Sequence, residues 1–173
     1  MKQLLAVAMA MSAATVGATT ANVKIAGEIG KKFETCLRGN VLKLDLEKDF
    51  FAPFVKRESK TGFIGLGKHA DAAVHFAANS GDPAAIAHKE KVVGFIIANQ
   101  LPDGYTGFSR EEARLNKLWD VHEMGFIVQG LMSDWELFGN KAALDAARRL
   151  PTETAFFPRP MAGRAVSPFP TGR

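Results

Sequence analysis

Two short junctions constrain this chain most. Ser80-Gly81-Asp82-Pro83-Ala84-Ala85-Ile86 and Phe138-Gly139-Asn140-Lys141-Ala142-Ala143-Leu144 lie 58 residues apart and repeat the same local chemistry. Glycine takes the left-handed position that ends a helix, and Asp or Asn caps the next one. The first junction adds proline where its missing N–H costs nothing. Such a junction stops one helix and starts a partner that returns beside it. The flanking periodicity over residues 65–150 is helical, with Ala70, Ala73, Val74, Ala77 and Ala78 before the first junction and Ile86, Val92, Val93, Ile96 and Ile97 after it. A loop is expected at residues 100–107, then a long third helix from about Glu111 to Phe138. A fourth helix is expected from Lys141, carrying Ala143, Leu144, Ala147 and Leu150. The expected fold class is therefore all-α, built of helical hairpins. Hairpins that cannot each bury an apolar face alone must stack on neighbours. At this repeat length a closed ring of six would need roughly 350 residues, so two hairpins would form part of an incomplete (α/α)6 toroid.

The ends read differently from the body. Met1-Lys2, an apolar run from Leu4 to Met11 and the small residues up to Ala21 have the layout of a secretory signal peptide, with cleavage after Ala18 or Ala21. The run is too short to cross a membrane as a helix, which takes about 20 apolar residues. A secreted or periplasmic location follows as an expectation, with no membrane association after cleavage. Residues 151–173 hold five of the eight prolines and use only arginine as base. Proline blocks helix continuation, so this segment is expected to be a disordered tail or the product of a lost reading frame. The body in between, residues 22–150, is expected to be one folded unit.

The formal charge is +4, and the pI near 9.3 invites a nucleic-acid reading. Residues 22–150, however, carry 18 basic and 17 acidic side chains. The excess sits at the ends, and no nucleic-acid partner is expected. A single cysteine, Cys36, excludes a disulfide framework and is expected to be a small buried hydrophobe.

Two catalytic motifs are near misses. Gly62-Phe63-Ile64-Gly65-Leu66-Gly67-Lys68-His69 approaches a phosphate-binding loop, but His69 stands where a magnesium-binding Ser or Thr belongs, and the preceding residues are not a buried strand. Glycines that let a helix start close to a neighbour explain the run better. His122-Glu123-Met124-Gly125-Phe126 lacks the second histidine of a zinc-protease helix, Phe126 taking its place. His69 and His75, six apart, fall on different sides of a helix.

The third helix carries more information. Val121, Met124, Val128, Leu131, Trp135 and Phe138 form one stripe, expected to be a packing face. Trp119, His122, Phe126 and Gln129 form a second, mixed stripe, with Asp120 and Glu123 beside it. An aromatic plate next to carboxylates and an imidazole suits a sugar, whose C–H face stacks on tryptophan while its hydroxyls bond the polar groups. The structural alternative is a core tryptophan flanked by a solvated Asp and Glu. Asp103-Gly104-Tyr105 reads first as a turn, and second as a loop lining a cleft.

Several runs together resemble a known family. They are Phe33-Glu34-Thr35-Cys36, the stretch from Leu44 to Phe54, Gly65-Leu66-Gly67-Lys68-His69-Ala70-Asp71, Gly81-Asp82-Pro83, Pro102-Asp103-Gly104-Tyr105-Thr106-Gly107 and Trp119-Asp120-Val121-His122-Glu123-Met124-Gly125. In order and spacing, over about residues 28–150, the chain resembles the N-terminal part of glycoside hydrolase family 127, which includes β-L-arabinofuranosidases. The resemblance implies a six-hairpin (α/α)6 toroid and retaining hydrolysis of arabinofuranosides in plant or algal polysaccharide. It also implies a zinc-bound cysteine nucleophile with a glutamate nearby, both beyond this chain, so that no cofactor and no turnover are expected of the chain itself.

The expected sugar contacts are Trp119, Asp120, His122 and Glu123, with Tyr105 and His69 behind them. Uncovered apolar flanks would give a tendency to self-associate. Two rival expectations are a small helical-repeat binding module without catalysis, and an epimerase or lyase on the same toroid.

Overall fold

Capping at the two junctions organises the chain. The computed structural model describes residues 25–58, 62–114 and 118–150. Among these residues are six α-helices: α1 (Gly27–Gly39), α2 (Ala52–Lys56), α3 (Leu66–Ser80), α4 (Pro83–Asn99), α5 (Leu118–Phe138) and α6 (Lys141–Arg149). Short 3-10 turns lie at Val41–Lys43 and Glu111–Ala113, and a π-helical turn at Leu46–Phe51 leads into α2. No strand occurs among the described residues, so the all-α class holds. The leader at residues 1–21 and the tail at 151–173 lie outside the described residues.

Both junctions form as their residues dictate. Gly81 has φ 63° and Gly139 φ 69°, the left-handed values that a side chain disfavours. Asp82 Oδ1 accepts the amides of Ala84 and Ala85 at 2.7 and 3.3 Å, and Asn140 Oδ1 accepts those of Ala142 and Ala143 at 3.1 and 3.3 Å. Each cap satisfies amides that the first helical turn leaves unpaired. Asp82 also takes the Arg38 guanidinium at 2.6 Å, which holds its carboxyl below the usual carboxylate range and ties α1 to the first junction.

The repeat offset in the sequence is also the contact register in space. Gly65 donates its amide to Glu123 and Gln129 its side-chain amide to Asp71, pairs that are each 58 residues apart. Ser133 Oγ reaches the same Asp71 at 2.6 Å. Contacts advance in step along α3 and α5, so the two helices run parallel with equivalent positions side by side. This is the most extensive helix pair among the described residues, while α4 returns along α3 and α6 along α5.

Glycines permit the close crossing. A Cβ on Gly67 would come within 2.7 Å of Phe126 Cβ and nearer still to the Ile127 amide. One on Gly130 would lie 2.9 Å from Ala70 Cβ. The glycine-rich run is thus a helix approach, as the sequence suggests, with Gly65 in the left-handed region at φ 94°.

Around this pair Phe54, Leu66, Val74, Val92, Phe108, Ile127 and Leu131 close a shared core. Each such buried side chain contributes about 1.5–3 kcal/mol. The flank of α3 turned away from α5 is covered by the N-terminal segment. Phe33 packs on Phe76 at 4.6 Å, and Phe50 stacks on His69 at 4.7 Å.

Three expectations are corrected. The third helix does not run on from Glu111, because Glu111–Ala113 forms a separate 3-10 turn and Arg114 turns out of it at ψ 138°; α5 is described from Leu118. Cys36 is exposed, since its neighbour Leu37, with no exposed surface, is the residue that α1 turns to the core. The packing face of α5 is rotated from the expected stripe. It runs through Asp120, Glu123, Met124, Ile127, Gly130, Leu131 and Asp134, while Trp135 and Phe138 reach the surface.

Candidate functional site

The rotation of α5 sends its carboxylates inward and its tryptophan outward. Asp120 and Glu123 are buried, and Trp119 is 46% exposed. The alternative of a core tryptophan between solvated acids is therefore reversed on both counts. A buried carboxylate is costly unless its oxygens are bonded, and all three on α5 are.

Glu123 Oε2 accepts the amides of Ile64 and Gly65 at 3.1 and 2.8 Å, and Oε1 that of Gly67 at 2.8 Å. It caps the N-terminus of α3 from a neighbouring hairpin, where a negative charge also meets the positive end of the helix dipole. Asp120 accepts the Tyr105 hydroxyl at 2.8 Å, and that oxygen in turn receives the Ser109 amide at 2.9 Å. Burial and the adjacent carboxylate raise the phenol well above its ordinary pKa, so Tyr105 stays protonated. A Cβ on Gly107 would collide with both the phenol and the Asp120 carboxylate. Asp134 binds Lys89 Nζ and Asn140 Nδ2, each at 2.7 Å, pinning α4 and the second junction to α5.

Asp103-Gly104-Tyr105 is a turn, as read. Gly104 has φ 88° and Asp103 Oδ1 accepts the Tyr105 amide at 3.0 Å. Tyr105 is buried with its ring under Arg114, 4.5 Å away, and so does not line a surface. His69 lies on α3 with only 8% of its surface exposed, its Nε2 2.9 Å from that of His88 on α4. Burial, and then the neighbouring imidazole, lower the His69 pKa to about 4, and burial lowers that of His88 as well. The two rings thus meet as neutral partners sharing one hydrogen bond.

Of the six residues singled out, Trp119 and His122 come together at the surface. His122 stands edge-on to Trp119 at 5.8 Å and to Phe126 at 4.9 Å, because positions 119, 122 and 126 share one helical face. Phe63, from the segment before α3, joins them at 6.1 Å from Trp119 and 5.1 Å from His122. Lys68 Nζ lies over Phe63 at 4.8 Å and over Phe126 at 4.5 Å. Gly62 faces the indole, its absent Cβ position 3.5 Å from Nε1. The result is a partly exposed aromatic platform with one cation at its edge, set at the N-terminal ends of α3 and α5.

Phe63 and Lys68 were not among the expected contacts. Their signal lay inside the glycine-rich run, where the only local cue was a helix start. His88 likewise carries no local sign of its partner 19 residues earlier.

Among the described residues no group of three or more His, Cys, Asp or Glu side chains is placed to hold a metal ion. No helix among them is long and apolar enough to cross a membrane. Compared with protein-family profiles, with curated proteins and with solved structures, the chain matches none. Fold and site together define an all-α protein of two stacked helical hairpins that presents an aromatic platform at one end.

Proposed function

We propose that this chain is a carbohydrate-contacting pair of hairpins from an (α/α)6 glycosidase-like toroid, exported, and without turnover of its own. The aromatic platform carries the reading. Trp119 offers a half-exposed ring face suited to the C–H face of a pyranose or furanose, and His122 offers a polar edge beside it. The parallel 58-residue register of α3 and α5 supports the toroid, because repetition of one such step generates a ring of parallel inner helices. Asp120 and Glu123 are assigned to holding the platform in place, since their oxygens are spent on Tyr105 and on the start of α3. The parent substrate is taken as a plant or algal glycoside of arabinofuranoside type.

The rival reading, a small non-catalytic binding module, draws on one observation. The N-terminal segment covers the outer flank of α3 as a capping element would. An epimerase or lyase on the same toroid has no feature in its favour.

The test is a titration of the full chain with arabino-, galacto- and galacturono-oligosaccharides, followed by tryptophan fluorescence in a Trp135→Phe background that leaves Trp119 as reporter. A saturable change with any of them is the expected result, and calorimetry should show the same binding lost in Trp119→Ala. A flat signal with all three removes the carbohydrate reading.

A further inference from the structure

Resting on that carbohydrate reading, we propose that the platform takes an acidic saccharide, with Lys68 receiving the carboxylate of a uronate unit adjoining the one on Trp119. Four observations carry it. Lys68 is exposed and makes no ion pair with any carboxylate among the described residues. Its ammonium is instead held over two rings, Phe63 and Phe126, that belong to the same cluster as Trp119. A cation over aromatic faces keeps its outer side free for an anion.

The third observation concerns acids on the two helices that carry the platform. Asp71, one turn further along α3, is engaged by Ser133, Gln129 and His75, and Glu123 is buried under the α3 amides. Neither offers a competing carboxylate to Lys68. Fourth, Phe63 touches both the indole and the ammonium, so the stacking face and the charge share one wall. A sugar chain lying along that wall would meet an apolar face first and a positive charge next. A neutral sugar would use only the face.

The decisive comparison uses trigalacturonate, its fully methyl-esterified form and an uncharged arabinotriose, each titrated into the full chain with Trp119 as reporter. Trigalacturonate is expected to bind about tenfold more tightly than its methyl ester, the size of one charge-assisted contact. The preference should shrink as salt rises. Lys68→Met should abolish the preference for the acid over the ester, and Lys68→Arg should restore it. Because Lys68 is exposed, these variants are expected to fold, and helical circular dichroism checks that they do. Equal binding of acid and ester, or a preference that survives in Lys68→Met, overturns this inference and leaves the carbohydrate reading standing. Absence of binding by all three overturns both.

Discussion

Glu123, on α5 and fully buried, accepts the amide of Gly67 on α3 at 2.8 Å. One hairpin thereby caps the first helix of the other, and the same carboxylate takes two further amides from the segment before it. Inter-hairpin packing and the shape of the aromatic platform are thus coupled through one side chain.

Glu123→Gln is expected to destabilise the chain by about 2–3 kcal/mol. One amide of the cap would then face an NH2 donor, leaving buried donors unpaired. Urea denaturation followed by helical circular dichroism measures it. A variant as stable as the parent would show that the cap contributes nothing.

Gly67 and Gly125 occupy equivalent positions, 58 residues apart, on the two parallel helices, yet they should answer alanine with opposite signs. Gly67→Ala drives a methyl into the backbone of α5 and is expected to cost at least about 2 kcal/mol. At Gly125 nothing lies within 4 Å of the new Cβ, so alanine gains helix propensity and stabilises by about 0.5–1 kcal/mol. Thermal melts of the two variants decide this directly.

The Lys89–Asp134 pair links α4 to α5 with neither side chain more than 6% exposed. Asp134→Asn should cost about 3–5 kcal/mol, because it strands a buried ammonium. The double variant Lys89→Met, Asp134→Leu should recover much of that loss. Denaturant midpoints of the single and double variants measure the coupling, and a double variant worse than either single one refutes the account.

Acid should loosen the first hairpin through its histidines. His69 is buried neutral with its pKa near 4, below the unfolded value of 6.5. The unfolded chain therefore binds more protons than the folded one between those values. Stability is full above pH 6.5, falls as the pH drops through this window and levels off below 4. The loss amounts to about 3 kcal/mol from this group. His88 shifts in the same direction and adds to the effect. Stability measured from pH 7.5 to 4 should show this slope, and His69→Phe should flatten it.

The sequence by itself determined the hairpins. Gly81-Asp82-Pro83 and Gly139-Asn140-Lys141 carry their own stop-and-start chemistry within a few residues, so helix ends, turn and return direction need no distant partner. Their 58-residue spacing also foreshadowed which positions of α3 and α5 stand side by side. What only the tertiary structure decided is how α5 is rotated. Hydrophobicity placed Val121, Met124, Val128, Leu131, Trp135 and Phe138 on the inner stripe; Met124 and Leu131 are buried there, but Trp135 and Phe138 are exposed. The inner face instead takes Asp120, Glu123 and Asp134, because each meets a donor brought from elsewhere: the Tyr105 hydroxyl, the amides opening α3, and the Lys89 ammonium. A carboxylate is read as a surface residue unless its partner is known, and those partners lie 15, 56 and 45 residues away. The same rotation sets Trp119 and His122 outward beside Phe63 and Lys68. Periodicity could name the helical face they share, but only packing could say which way that face points.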